Sequence, residues 1–312
     1  MFKHILIPID AQPFSQQAAK MGLEVARQFS ARVTMVHVLE VHPMFALQTE
    51  FMASGVLVER AERLLEPWVA LAESHGVQLK TELLEDETGN VAASITRAAE
   101  DLNCALILMG TQGREGFDRL LVGSVAERVV RTANRPVMLL RGTAEVVKAE
   151  VVKANPIASL LVPIDDSLES QVALKTAAEL ATQLGTGLHV LYVVPDMPLP
   201  MGDGMGFGTL TYQPEPWLEA LNNQGRAIID QAKQTLEPIL KADRLETSMV
   251  QQNHERIAQV ILKSAQEHAS GLIVLGTHGR SGIDRLLLGS VAEGVMHHAN
   301  VPVLLVRSKA TH

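Results

Sequence analysis

The feature that most constrains this chain is that it contains itself twice. Residues 113–141 read GREGFDRLLVGSVAERVVRTANRPVMLLR and residues 279–307 read GRSGIDRLLLGSVAEGVMHHANVPVLLVR, with 19 of 29 aligned positions identical and no gap. The amino ends correspond more loosely, Ile5-Leu6-Ile7-Pro8-Ile9-Asp10 lying against Leu160-Leu161-Val162-Pro163-Ile164-Asp165. The offset is 155 residues at the front and 166 at the back, so the second copy carries eleven extra residues. The stretch from Pro195 to Pro216, rich in Pro, Gly and Met, is the expected insertion and reads as a long loop. This period is far longer than a solenoid unit, so each copy should be a whole domain. A length of 312 residues fits two domains of ordinary size.

Composition narrows the class. The apolar fraction is 47% and the charged fraction 20%, values of a soluble, cored chain rather than a disordered one. The net charge of −8 argues against a general nucleic-acid binder, and it leaves room for a local anion site. Each half carries four more acidic than basic side chains, so the copies have similar surfaces. Cys104 is the sole cysteine, which removes an intrachain disulfide and thiolate metal clusters. The apolar run before Asp10 is too short for a signal-peptide core, and no stretch approaches 18 uninterrupted apolar residues. A cytoplasmic protein without a membrane span is the expectation.

Within each copy, short apolar runs alternate with helical patterns. In the first, Ile5–Ile9, Val33–Leu39, Leu79–Leu84, Ala105–Met109 and Pro136–Arg141 read as strands. Ser15–Phe29, Val56–His75, Val91–Leu102 and Val125–Ala133 read as helices. In the second, the strand runs are Leu160–Ile164, Leu188–Val194, Glu246–Val250, Leu272–Leu275 and Val303–Arg307. Strands without polar alternation imply a parallel sheet covered on both faces. In such sheets ligands bind beyond the carboxyl ends of the strands, where the strand order reverses. Asp10 and Gly110, with Asp165 and Gly276, follow the strands concerned.

After the fourth strand comes Gly110-Thr111-Gln112-Gly113, nine residues, then Gly123-Ser124; the second copy has Gly276-Thr277-His278-Gly279, nine residues, then Gly289-Ser290. Glycine lets an anion approach backbone N–H groups closely, and the first N–H groups of a helix are unpaired and carry partial positive charge. An anion fits there without a lysine. The same residues have a structural reading, because Ser124–Glu127 and Ser290–Glu293 each fit a capping box. No lysine follows the glycines at P-loop spacing, and the dinucleotide fingerprint is absent. Recurrence of one spacing in two strand–loop–helix contexts favours a site. Asp10 and Asp165 have a bland reading as turn or cap residues, and their recurrence favours a site as well.

These residues resemble a tandem universal stress protein over nearly the whole chain. That family's signature is glycine, two residues, glycine, nine residues, glycine and then Ser or Thr, and both copies match it in full. The Pro-Ile-Asp end of the first strand and the Arg/Val-Pro-Val last strand match too. The resemblance implies two tandem, doubly wound, five-stranded parallel-sheet α/β domains, Rossmann-like and adenine nucleotide alpha hydrolase-like. They would span 1–142 and 158–312, with 143–157 as a linker. It implies ATP, ADP or AMP as ligand, with or without magnesium. Asp10 and Asp165, with Pro8-Ile9 and Pro163-Ile164 before them, would meet the ribose or a nearby metal. Backbone around Val38 and Val193 would meet adenine. Gly110, Gly113, Gly123, Ser124 and Val125 would hold phosphates in the first copy. Gly276, Gly279, Gly289, Ser290 and Val291 would do so in the second. Gln112 and His278 lie where a side chain can face the phosphates. Family members pair through the last strand, so the copies are expected to form an intramolecular pseudo-dimer, with a homodimer of chains as a further option.

Other candidates are weaker. Arg114, Arg119, Arg280 and Arg285 either screen phosphate or pair with Asp118, Asp284 and solvent. His254-Glu255, read as a helix start, lacks a second histidine at zincin spacing, and His297-His298 point apart on one helix. No metal ligands are assigned. Cys104 reads as a buried thiol. Efficient phosphoryl transfer needs positioned cations and a metal site, which the loop does not supply, so binding is expected rather than turnover, with weak ATPase activity at most. The functions in competition are a nucleotide-dependent stress-response regulator, a slow nucleotide hydrolase, and a scaffold that binds a protein or lipid through residues 195–216.

Overall fold

The computed structural model describes residues 1–40, 52–86, 88–111, 122–140, 157–196, 214–278 and 288–308. The first half contains β1 (His4–Pro8), α1 (Pro13–Phe29), β2 (Arg32–Glu40), α2 (Met52–Ser74), β3 (Leu79–Asp86), α3 (Val91–Asp101), β4 (Leu106–Gly110), α4 (Ser124–Thr132) and β5 (Val137–Leu140). The second contains β6 (Ser159–Ile164), α5 (Leu168–Leu184), β7 (Gly187–Val194), α6 (Pro214–Leu236), β8 (Leu245–Gln251), α7 (Ile257–Glu267), β9 (Leu272–Gly276), α8 (Ser290–His298) and β10 (Val303–Val306). The expected elements are present, with ends shifted by a few residues. Helix α1 begins at Pro13 rather than Ser15, because proline suits the first helical turn, where its missing N–H costs nothing.

All ten strands join one sheet in the order β3-β2-β1-β4-β5-β10-β9-β6-β7-β8. Each half has the same internal order, read from its outer edge inward. Pairings within the halves are parallel, with registers such as Ile5↔Val33 and Leu160↔Leu188. The halves meet through β5 and β10, which pair antiparallel with Leu304 opposite Met138. This is the expected pairing through the last strands.

The continuous apolar runs follow from burial on both faces. Ile5, Ile7, Leu106, Leu108, Leu160 and Val162 point into one layer with α1, α2, α5 and α6. Their neighbours Leu6, Ile107, Leu161 and Ile273 point into the other, with α3, α4, α7 and α8. Strand side chains alternate between faces, and here both faces are covered. Each layer runs through both halves. Among the described residues, no helix is long and apolar enough to cross a membrane.

Side chains reinforce the seam. Arg307, just beyond β10, donates from its guanidinium to the carbonyls of Val130 and Arg131 at the end of α4. Burial holds its pKa below the ordinary value. Arg131 bonds Glu127 at 2.7 Å and lies 3.7 Å from Glu293 of the other half. On the opposite layer Gln183 donates to the Phe29 carbonyl at 3.0 Å and accepts from the amino terminus at 3.0 Å.

Candidate functional site

Strand order reverses between β1 and β4 in the first half and between β6 and β9 in the second. Asp10 and Asp165 lie just beyond β1 and β6, and Gly110 and Gly276, expected after their strands, are the last residues of β4 and β9. The topology therefore brings each Asp and its glycine loop to one crevice at the carboxyl edge, as the apolar runs imply.

The second half shows the crevice in full relief. A cavity of about 280 Å³ is lined by Pro163, Ile164 and Asp165 after β6, by Tyr192, Val193 and Pro195 at the end of β7, by Gly276, Thr277 and His278 after β9, and by Gly289, Ser290 and Val291 at the start of α8. That volume lies near the lower end for small-molecule sites. The walls add Ile257, Ile261 and Leu275, so one side is apolar.

Two local structures shape its polar end. Asp165 Oδ1 accepts from the N–H and the hydroxyl of Ser167, at 2.9 and 2.5 Å. Ser167 in turn caps α5 by accepting from the N–H of Ser170. The N–H of Asp165 donates to the Ser170 hydroxyl at 2.9 Å. The carboxylate is thus fixed by a closed ring of bonds. Across from it, Gly289 sits at the N-cap of α8 in extended conformation and offers no side-chain acceptor. Helix geometry gives the N–H groups of Ser290, Val291 and Ala292 no partner inside the helix. Thr277 donates its N–H to Val306 and accepts from Gly289 N–H at 2.9 Å, which pins the loop to the helix start. His278 Nδ1 lies 3.0 Å from the Thr277 hydroxyl, and its Nε2 is buried with no hydrogen-bond partner among the described residues. Gly276 has to be glycine for a packing reason, since a Cβ there would lie 2.8 Å from Glu169 Cβ and 3.0 Å from its carbonyl carbon.

The first half repeats the frame with looser fastening. Asp10 Oδ1 accepts from Gln12 N–H at 2.9 Å, and Asp10 N–H donates to Ser15 Oγ at 3.0 Å. Gln12, the N-cap of α1, makes no side-chain cap, so the ring found around Asp165 is open here. Gly123 is the N-cap of α4, extended and without a side-chain cap, and Thr111 accepts from its N–H. Pro8 and Ile9 precede Asp10 as Pro163 and Ile164 precede Asp165. Val38 on β2 corresponds to Val193 on β7, and Val125 to Val291. His37 Nδ1 lies 2.8 Å from the Ile9 carbonyl.

Several expectations change. The serines do not cap α4 and α8. Ser124 and Ser290 are already the first helical residues, and glycine holds the cap position in both. The capping-box reading fails for that reason, and the helix ends lack a side-chain acceptor. His254-Glu255 precedes α7 rather than starting it; His254 has φ +63° and its N–H donates to Asp196 Oδ2 at 2.7 Å. Cys104 is fully buried, and burial pushes its thiol up to about 11, as suits an inert core residue. Gln112, Gly113 and Gly279 lie outside the described residues, as do Arg114, Arg119, Arg280, Arg285 and most of the 195–216 insertion.

One constellation escaped the sequence reading. His189 on β7, Glu246 on β8 and His268 after α7 each offer a ligand atom, all within 4.8 Å of one another. The three are far apart in the chain and follow no motif. The signal that joins them is the register placing His189 directly opposite Glu246, which exists only after non-local pairing.

Comparisons with known proteins agree on one family. The universal stress protein family model matches residues 1–141 and again 157–307. A universal stress protein of Methanocaldococcus jannaschii is 38% identical over 144 residues, which is 45% of this chain and 83% of that protein. One from Mycolicibacterium smegmatis is 24% identical across 98% of this chain and 97% of its own length. The crystal structure of a universal stress protein from Archaeoglobus fulgidus superposes with a TM-score of 0.68 at 19% identity, covering 98% of this chain and 99% of that one.

Proposed function

We proceed from the fact that this chain belongs to the universal stress protein family, as two copies in tandem, and propose that it binds ATP or a related adenine nucleotide at the carboxyl edge of its sheet. The observation that carries this reading is the second-half crevice, which joins an apolar wall to an uncapped helix start and a fixed carboxylate. The chemistry of each part matches one part of a nucleotide. The strand ends around Val193, with Ile257 and Ile261, offer an apolar slot of the kind a base fills. The Asp165 carboxylate can accept from ribose hydroxyls. The N–H groups of Ser290 and Val291, at the positive end of α8, can receive phosphate oxygens. When the Thr277 hydroxyl donates to Nδ1 of His278, Nε2 carries the hydrogen, and a phosphate oxygen would satisfy that buried donor. Gly279, from the same signature, would add backbone N–H groups.

The first copy would use Asp10, Val38, Gly110, Gly113, Gly123, Ser124, Val125 and Gln112 in the same roles. In this reading the working units are 1–142 and 158–312, joined by 143–157, in a cytoplasmic protein whose occupancy alters partner choice or assembly. The described residues of the crevice supply neither a lysine nor a second carboxylate, so binding with little turnover fits best.

The test is direct. Ligand released by heating the purified chain is identified by mass spectrometry, and ATP with magnesium is titrated calorimetrically. Co-purified adenine nucleotide, or titration to one or two sites per chain, supports the reading. A chain that carries no nucleotide and ignores added ATP overturns it.

A further inference from the structure

We propose that His189, Glu246 and His268 form a binding site for a transition-metal dication of the zinc type at the amino edge of the sheet in the second half. This edge is opposite the crevice, so the inference does not depend on nucleotide binding. His189 stands near the start of β7, directly across from Glu246 on β8. His268 is the C-cap of α7, which packs on the sheet face that carries Leu191 and Val193. His189 alternates in phase with those residues and so faces α7.

The hydrogen bonding sets up two bare nitrogens. His268 Nδ1 lies 2.9 Å from the Ser264 carbonyl, a group that only accepts, so Nδ1 carries the hydrogen. Its Nε2 then presents a lone pair to Glu246 Oε1 at 3.4 Å. In the neutral ring these two acceptors face each other, and a metal ion between them would satisfy both. His189 Nε2 lies 2.7 Å from the Ser248 hydroxyl, and its Nδ1 is buried without a partner among the described residues; when Nε2–H donates to that hydroxyl, Nδ1 holds the second lone pair. The ring is 5% exposed, with its centroid 3.9 Å from that of His268. At this separation two charged imidazoliums repel, whereas one metal ion satisfies both neutral rings and the carboxylate.

Ligand chemistry selects the ion. Two imidazoles and one carboxylate suit zinc and its neighbours, whereas magnesium and calcium prefer an all-oxygen shell. Ligand atoms around one tetrahedral zinc lie roughly 3.3 Å apart, as bonds of about 2.0 Å require. The Glu246 side chain is 64% exposed and free to swing the remaining distance, leaving the fourth position to water. The backbone carbonyl that holds His268 Nδ1 is the kind of outer partner that orients metal-binding imidazoles. The first half has Thr34, Lys80 and Leu102 at the matching positions, with Lys80 directly opposite Thr34, so the site belongs to the second half alone.

The experiment uses the full chain stripped with chelator, then titrated with zinc chloride, with metal content measured after dialysis. Cobalt(II) replaces zinc for spectroscopy. His268→Gln and Glu246→Gln change half-buried and exposed side chains, so circular dichroism and metal-free melting should match the parent. We expect one zinc per chain, tetrahedral cobalt bands in the visible, and zinc affinity at least about tenfold weaker in each variant. His254→Gln, which alters a separate histidine beside Asp196, should leave binding unchanged. A stripped chain that takes up no zinc overturns the proposal. So does zinc binding that neither His268→Gln nor Glu246→Gln weakens.

Discussion

The two halves share one scaffold and differ in how tightly they finish it. Both run the same strand order to the same reversal, and both place an Asp and a glycine N-cap across the crevice. In the second half Ser167 closes a ring of bonds around Asp165 and caps α5. In the first, Gln12 holds Asp10 by one backbone bond and leaves α1 uncapped. At the amino edge the contrast is chemical: His189 and Glu246 in the second half stand where the first has Thr34 and Lys80. Both copies keep the apolar strands, the close-packed glycines and the crevice Asp, and they differ in the polar residues around them.

A charge placed where a phosphate should sit would separate the two halves most strongly. Ser290 and Ser124 are exposed first residues of α8 and α4, so Ser290→Asp and Ser124→Asp suit helix starts and should not harm folding. Each puts a negative charge at the anion position of one half. Ser290→Asp should weaken ATP binding by about a hundredfold at the second-half site, because a like charge replaces an attraction with a repulsion. Ser124→Asp should have the smaller effect if the looser first half binds less. Calorimetric titration of both variants checks it; equal losses would show that the Ser167 ring confers no advantage.

The close-packed glycines give the next largest effect, this time on stability. At Gly276 a methyl meets Glu169 Cβ at 2.8 Å and its backbone carbon and oxygen at 3.0 and 3.1 Å, so the first turn of α5 would have to move. At Gly110 it meets Ala18 Cβ at 3.1 Å and the Phe14 carbonyl at 3.4 Å, a milder crowding. Gly276→Ala should cost about 2–3 kcal/mol and Gly110→Ala about 1 kcal/mol. Urea unfolding midpoints report both, and the reverse order would mean that α5 yields more easily than α1.

Much of this was legible in the sequence, for reasons that are local. The runs Ile5–Ile9 and Leu272–Leu275 identify buried parallel strands because both faces are apolar, and the repeated glycine spacing marks the strand–loop–helix junctions. What resisted reading depends on backbone geometry or register. Ser124 and Ser290 looked like caps, since a capping box is a pattern of residue types and cannot say which residue turns helical first. His189, Glu246 and His268 carried no signal, because their approach depends on β7 pairing with β8 and on where α7 ends.

The seam supplies a test of whether the halves behave as one body. The Arg307 guanidinium serves the last carbonyls of α4 in the other half, and the buried Arg307 Nε has no partner among the described residues. Arg307→Ala leaves those carbonyls unmet and should cost about 1–2 kcal/mol. It should also broaden calorimetric unfolding or split it in two, as the first half separates from the second. Arg307→Lys, which keeps a donor, should restore part of the loss. A single unchanged transition would show that the β5–β10 pairing couples the halves without help.

The smallest effect concerns acid. His4 is buried against Thr34, with Nε2 2.8 Å from its hydroxyl and Nδ1 3.3 Å from an Arg32 nitrogen. Burial chiefly, then the positive charge of Arg32, lowers its pKa below 6.5, against smaller opposing effects of the Leu102 backbone and Glu82, with Lys80 adding the least. The folded ring therefore stays neutral while the unfolded ring takes up a proton. Above the unfolded value the group costs nothing; as pH falls through about 6.5 the unfolded state gains protons and stability declines. The decline stops once the pH passes the lower folded pKa. His189 shifts in the same direction in the second half, through burial and then His268. His4→Gln keeps an amide donor for Thr34 and removes the titration, so it should flatten the fall in urea midpoint between pH 7.5 and 5.5 without abolishing it. A slope identical to the parent's would place the acid sensitivity elsewhere.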